Sequence, residues 1–268
     1  MDSLRRELAP ITDSAWREIE NEAKKTLSLG LSGRRIVDVT DAQGHDLAAV
    51  NLGGLEVPDD QPDEVQFGIR RVLPLVEVRV PFNLDIWELD NVERGAQDAD
   101  LDDLARAARE IVKFEEQAIY DGFNDGGISG LTASSDFEPV AVEADPGALP
   151  EAVARAVLRM RYADVDGPYA LALGAALYQS LDAGAEHGYP VRKRLARQIE
   201  GPIVHAPYLD GGVVVSQRGG DAELTLGRDV SIGYHSHDSG TVRLYFTESF
   251  TFRVIGPEAV VSLATEAG

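Results

Sequence analysis

Val76, Val78, Val80, Phe82, Leu84 and Ile86 form an apolar series, interrupted at every second position by Glu77, Arg79, Pro81, Asn83 and Asp85. This period of two is the pattern of a strand with one buried face. At about 3.3 Å per residue an eleven-residue strand reaches roughly 36 Å, comparable to the width of a whole domain, so its apolar face needs a cover of the same length. The segment Leu47 to Val57, with its Gly53-Gly54 pair, is the expected partner, which makes 45–86 a long two-stranded arm. A lone two-stranded ribbon is marginal in water. The arm therefore needs a surface to lie on, and its length favours a neighbouring copy of the chain over the chain's own body.

Composition narrows the function. With 268 residues and 44% hydrophobic content the chain can bury a substantial core. Its formal charge of -21 argues against nucleic acid, whose phosphates require clustered Lys and Arg. The absence of cysteine excludes disulfides, thiolate metal sites and a cysteine nucleophile. The N-terminal residues lack the apolar stretch of a signal peptide, and no run approaches the roughly 18 apolar residues of a membrane span. The expectation is a soluble cytoplasmic protein without membrane or nucleic-acid partners.

Along the chain, Thr12 or Asp13 caps an expected helix over 12–29 with Trp16, Ile19, Ala23 and Leu27 on one face, ending at Gly30. Gly33 to Val39 reads as a turn into a short strand. Arg34, Arg35 and Asp38 within it admit two readings, a local ion pair that positions the helix or a binding role. Asp100 caps a second helix running to about Asp121, with Leu101, Leu104, Ala108, Ile111, Phe114 and Ala118 at spacings of three and four. From Leu131 to Gly220 short helices and strands alternate, as in a compact inserted subdomain, with an exposed loop at 182–190. From Ala222 the chain is rich in strands. Leu244, Phe246, Phe250, Phe252 and Val254 mark another long, half-buried strand, and Glu248 interrupts its apolar face. A carboxylate there needs a partner.

Catalytic motifs are absent: no phosphate-binding GxxxxGK[ST], no HExxH, no GxSxG and no GxGxxG opening a helix after a strand. His235 and His237 could face one side of a strand, as metal ligands do, but HSHDSGT reads more simply as a polar hairpin tip. The acids Asp98, Asp100, Asp102 and Asp103 suit a helix N-terminus, and no metal site is expected. RGGD at Arg218 reads as a glycine turn. Trp87 ends the long strand among acids, where its ring should be partly exposed as an interface or core anchor, or as a stacking surface for a ligand.

In this order and spacing, LAPIT with Trp16, GRRIVDV at Gly33, RVPFNLDIWELDNVERG at Arg79, DGPY at Asp166, HGYP at His187, RGGD at Arg218, LGRDVSIGY at Leu226 and VRLYFTESFTF at Val242 resemble the encapsulins. These are prokaryotic shell proteins with the tailed-phage major-capsid fold. The resemblance covers nearly the whole chain. It implies an α+β chain with a peripheral domain at 1–48, 84–132 and 222–268, including an N-terminal helix on the inner surface. It further implies an extended β-arm loop at 49–83 and an axial domain at 133–221.

The resemblance also implies the partners. Identical copies, about 60 or a larger icosahedral multiple, would enclose a cargo enzyme such as a dye-decolorising peroxidase or a ferritin-like iron oxidase, captured by its C-terminal targeting peptide. The matching peptide-binding positions are Arg34, Asp38, Val39 and Ile232, to which the helix stripe adds Leu27. Asp182, Glu186, His187 and Tyr189 fall in the loop that lines the five-fold pore. No catalytic residue and no required cofactor is implied, although some members hold a flavin where Arg79 and Trp87 match. Two other readings remain open: an enzyme, either a peptidase of bacteriocin-like type or a flavin-dependent oxidoreductase, and a prophage major capsid subunit. Against the last, the first helix begins by about Thr12, where many phage capsid chains carry a long scaffolding segment.

Overall fold

The computed structural model of the chain describes residues 3–62, 64–143, 147–183, 185–186 and 189–265, with the backbone alone for those between 182 and 189. In chain order the helices are α1 (Asp13–Gly30), α2 (Ile86–Glu93), α3 (Asp102–Tyr120), α4 (Leu131–Ser134), α5 (Ala148–Tyr162), α6 (Ala175–Ala183) and α7 (Val191–Ile199). The strands are β1 (Asp38–Val39), β2 (Ala49–Glu56), β3 (Ile69–Pro74), β4 (Val76–Asp85), β5 (Gly122–Phe123), β6 (Ile128–Ser129), β7 (Val140–Val142) and β8 (Tyr169–Leu173). They continue as β9 (Ala185–Glu186), β10 (Tyr189–Pro190), β11 (Glu200–His205), β12 (Gly212–Ser216), β13 (Ala222–His237), β14 (Thr241–Val254) and β15 (Val260–Thr265).

The long alternating strand is present as β4, but its expected partner is not the real one. β4 pairs antiparallel with β14, from Thr241 opposite Asp85 to Phe250 opposite Val76. It forms the edge of a four-stranded sheet in the order β1-β13-β14-β4. Its apolar face is covered by the chain itself: Phe82 and Leu84 are buried in one cluster with Ile19 and Ala23 of α1 and Leu104 and Ile111 of α3. The alternation ends where Ile86 begins α2, capped by Asp85, whose Oδ1 accepts the Trp87 backbone N–H at 2.7 Å.

Residues 47–57 pair elsewhere. β2 and β3 form a separate antiparallel ribbon, with Ala49 opposite Pro74 and Glu56 opposite Ile69. Its register shifts between Asn51 and Leu55, where Gly53 takes φ 76, a left-handed conformation that a side chain would strain. This ribbon lacks a cover. Leu52, Leu55, Val57, Val65, Phe67, Ile69 and Val72 are all exposed, half of the exposed large apolar residues among those described.

AELTLG and VSIGY are not separate strands but parts of the sixteen-residue β13, which carries register shifts at Leu226/Arg228, Arg228/Ser231 and Tyr234/Ser236. β14 is buried on both faces in its middle: Tyr245, Thr247, Ser249 and Thr251 are covered as well as the apolar series. Small hydroxyls occupy positions the pattern assigned to solvent, and Ser249 Oγ accepts the Arg228 N–H at 2.8 Å. A second, five-stranded sheet, in the order β11-β8-β12-β15-β7, is packed by α5 and α7 around Leu149, Val153, Met160, Leu195 and Ile199. β15 belongs to this sheet: it lies antiparallel to β12 and parallel to β7.

Candidate functional site

The stripe predicted on α1 forms one wall of a cavity. Thr12 starts the helix by accepting the Ala15 N–H on Oγ1 at 3.3 Å, and Ala15, Ile19 and Ala23 are buried. α1 packs on α2 and α3 and shares a buried cluster with β13 and β14. Between α1 and these strands is a cavity of about 370 Å³, lined by Ala23, Leu27, Val230, Ile232 and Phe246, with Glu20 and Lys24 among its polar members. Ile232 and Phe246 are opposite each other across the β13–β14 ladder, which explains why both line it. Leu27 and Ile232 are thus brought together at this cavity. Val230 and Phe246 were not singled out from the sequence, although Phe246 lies in the apolar alternation of β14.

The other expected peptide-binding residues lie elsewhere. Val39 is exposed in β1, opposite Leu224, eight residues along β13 from Ile232, roughly 26 Å of strand. The segment around it is a 3-10 turn at Gly33–Arg35 followed by a two-residue strand. Asp38 makes no ion pair with Arg34: its Oδ2 accepts the Gly220 N–H at 2.6 Å, beside the RGGD turn. In that turn Gly219 and Gly220 take φ 85 and φ 82, while Arg218 grips Asp221 through two bonds of 2.8 Å.

Arg34 is the centre of a buried ionic cluster rather than a cavity lining. Its guanidinium bonds Glu115 at 2.6 Å, Glu248 at 2.6 Å and Asp229 at 2.8 Å. The partner that Glu248 requires is therefore Arg34. Burial by itself would lower the Arg34 pKa, but the hydrogen bond to Glu115 and the charges of Glu115, Glu248 and Asp229 raise it above its ordinary value. Burial and the neighbouring Glu115 carboxylate hold Glu248 well above the usual carboxylate range, against the pull of Arg34. The cluster joins the turn after α1 to α3, β13 and β14. It lies one residue from Val230 and two from Phe246, so it supports the wall of the cavity. Glu115 and Glu116, both fully buried, were missed in the sequence. Glu115 follows Ile111 by four positions, on the apolar stripe, and that was the available signal.

Glu116 accepts from the Gly33 N–H at 2.8 Å and from Ser32 Oγ, which also meets Tyr120 Oη at 2.8 Å. Burial pushes its pKa up to about 7, against those hydrogen bonds, from an ordinary 4.5. The folded chain thus holds this proton more tightly than the unfolded chain. The stabilisation is complete below about pH 4.5 and is lost as pH rises through about 7. We predict a loss of up to about 3 kcal/mol on this account. Glu116→Gln should flatten the pH dependence of the urea midpoint between pH 4.5 and 8; an unchanged slope would assign it to other groups.

Arg79 and Trp87 are not brought together within the chain. Arg79 bonds Glu77 at 3.0 Å and lies 4.8 Å over the Tyr245 ring. Trp87, 70% exposed, is the second residue of α2, beyond the end of β4, about 20 Å of strand away. His237 Nδ1 meets Tyr234 Oη at 2.6 Å, and His235 Nδ1 meets Ser236 Oγ at 3.0 Å. Asp103 accepts the Asn83 N–H at 2.7 Å and pairs with Arg106 at 2.6 Å. Among the described residues no group of three metal-ligating side chains converges. No helix among them is long and apolar enough to cross a membrane. The side chains of Asp182, Glu186, His187 and Tyr189 lie outside the described residues.

The two sheets, the long α3 and the uncovered ribbon define the class. The fold is that of the tailed-phage major capsid proteins. A virus-like particle from Pyrococcus furiosus superposes with a TM-score of 0.65 at 16% identity, over 92% of this chain and 98% of that one. The Mycobacterium phage Bobi structure does so with a TM-score of 0.60 at 12% identity, over 89% and 91%. Sequence comparison is more specific. The family model described as "Encapsulating protein for peroxidase" matches residues 1–251. The type 1 encapsulin shell proteins of Rhodospirillum rubrum and Mycolicibacterium paratuberculosis are 46% and 43% identical, over 98% and 99% of this chain and 96% and 100% of theirs. The chain belongs to the encapsulin family of shell proteins, whose members are named as structural proteins rather than enzymes.

Proposed function

We propose that copies of this chain close into an icosahedral compartment around a cargo enzyme, and that the α1–β13 cavity receives the cargo's C-terminal targeting peptide. The observation that carries the assembly is the β2–β3 ribbon. An apolar patch of this size on a chain with a well-filled core marks a protein interface, and in a closed shell the neighbouring copy is the cover. The topology supports a peripheral domain around the four-stranded sheet with α1 to α3, and an axial domain around the five-stranded sheet with α5 to α7. It favours an extended loop made of the ribbon at 49–74, since residues 76–83 pair with β14. It also favours reading β15, within the proposed peripheral stretch, as part of the axial domain, because it pairs with β12 and β7. The loop at 182–190 is proposed to line the five-fold pore and admit small solutes.

The family's description makes a peroxidase the first cargo to test, and a ferritin-like iron oxidase the second. Size exclusion with light scattering and negative-stain microscopy should show a hollow particle of roughly 1.7 MDa for about 60 copies of 28.9 kDa, or a larger multiple. A stable monomer or small oligomer would refute the assembly.

The cavity has its own test. Ile232→Asp places a charge among Leu27, Val230 and Phe246, where burial without a partner is costly. Shells of this variant should form but lose a co-expressed dye-decolorising peroxidase by ten-fold or more in co-purification, about 1.4 kcal/mol or more of lost binding. Undiminished loading would exclude the cavity as the peptide site.

A further inference from the structure

Residues Ser3 to Leu8 run along the cavity between α1 and β13, and Leu4 and Arg6 contribute to its lining. The segment is held at several points. The Tyr234 N–H donates to the Leu4 carbonyl at 2.8 Å. Arg228 Nη2 donates to Ser3 Oγ at 2.6 Å. Arg6 pairs with Glu20, and its guanidinium lies 4.1 Å from the Trp16 ring centroid. Between these contacts Arg5 takes φ 52 and ψ 28, a left-handed conformation that is strained for a residue with a β-carbon.

The placement on β13 is specific. With β14 on one side, the other edge of β13 is covered up to Gly227 by the segment after β1, through Thr40, Gln43 and Gly44 N–H groups bonded to the carbonyls of Leu224, Leu226 and Gly227. Farther along, at Tyr234, that edge is met by Leu4. Ile232 lies two residues before Tyr234, so its backbone groups point to the same edge while its side chain lines the cavity. The N-terminal segment therefore presents what an extended peptide would bring here: a carbonyl for the strand edge and an apolar side chain for the cavity.

We infer that Ser3 to Leu8 form an autoinhibitory strap, in which Leu4 occupies a place that an apolar side chain of the incoming peptide must take, so that cargo binding requires the strap to leave. This rests on reading the cavity as the cargo-peptide site. The strap is built to be displaced: its fastenings include an ion pair between partly exposed side chains, which is weak in water, and its turn at Arg5 is strained. While closed it shields Ile232, Val230 and Phe246. It also lowers the apparent affinity for any peptide by the fraction of subunits that are open.

The test compares wild-type shells, a Ser3–Leu8 deletion and the full-length Leu4→Asp variant, using two fluorescein-labelled synthetic peptides. One copies residues 1–10 of this chain; the other copies the C-terminal tail of a dye-decolorising peroxidase. The first should bind deletion shells at least about ten-fold more tightly than wild-type shells, whose cavity is occupied in cis. The second should gain about ten-fold in affinity on both variants, and hydrogen exchange at the Tyr234 amide should quicken in both. Should the deletion fail to assemble, the Leu4→Asp shells carry the test through peptide affinity and Tyr234 exchange. Failure of the first peptide to bind assembled deletion shells would overturn the strap, as would equal affinity of the tail peptide for all three forms. Binding of the first peptide to deletion shells alone, with no form binding the tail, would keep the strap and overturn the cargo reading.

Discussion

Replacing residues 52–71 with an Asn-Gly turn should convert the shell into a folded monomer. The cut joins Asn51 to Val72, which are opposite each other in the ribbon, through a two-residue loop of the kind that tight hairpins favour. It removes Leu52, Leu55, Val57, Val65, Phe67 and Ile69, all exposed in the isolated chain, and leaves the four- and five-stranded sheets and the helices packed on them untouched. If a neighbour covers these side chains, their burial contributes on the order of 10 kcal/mol per subunit. Light scattering should read close to the monomer mass, with the circular dichroism of a folded chain. Intact particles from this variant would show that the ribbon is not the fastening between copies.

The second large effect is predicted at Arg34, and the ribbon-deleted monomer allows it to be measured as an equilibrium. Arg34→Met should cost about 3–5 kcal/mol, because removing one partner of a buried ion pair leaves the other charge uncompensated. Here Glu115 and Glu248 would both be left without their cation. The cost should be larger at pH 8 than at pH 5. Glu248 already holds its proton well above the usual range through burial and Glu115, and losing Arg34 removes the one charge that opposes this. Acid therefore neutralises what the arginine had balanced. Adding Glu248→Gln to Arg34→Met should recover a substantial part of the loss, as the urea midpoint reads. A loss below about 1 kcal/mol, typical of an exposed pair, would mean that water reaches the cluster.

The two long strands were legible because their alternation is a local property of the sequence. Their pairing was not. Phe82 and Phe246 meet at 5.1 Å between ring centroids, but nothing local to residues 76–86 indicates that the matching apolar face lies beyond residue 240. The nearer segment, 47–57, looked equally suitable because it is also apolar, yet its side chains face outward in a ribbon of their own. Glu248 announced that it needed a partner by interrupting an apolar face, whereas the identity of that partner, 214 positions away, depends on where the turn after α1 meets α3 and the sheet. At the cavity, the stripe on α1 marked Leu27 and the family resemblance marked Ile232. Asp38 and Val39 carried the same expectation but are separated from the cavity by a length of strand, which order along the chain does not reveal. The placement of Leu4 is a purely three-dimensional fact: LAPIT marks the start of the helix, and the residues before it carry no periodicity to show where they lie.

β15 sets a schedule for the nascent chain. The five-stranded sheet places Val260–Thr265 between β12 and β7, with Leu263 opposite Val140, so β7 has no neighbour in that sheet until residues 260–265 have been synthesised. Contacts of such long sequence separation form late. The apolar ribbon at 49–74, in contrast, leaves the ribosome before β15 and is available to associate while the five-stranded sheet is still open. Chains made side by side on one messenger therefore begin with adhesive ribbons and unfinished bodies. Completion of β15 is the step that separates a productive encounter between neighbours from premature tangling, and slowing translation before residue 260 should raise the aggregated fraction without altering any contact of the finished shell.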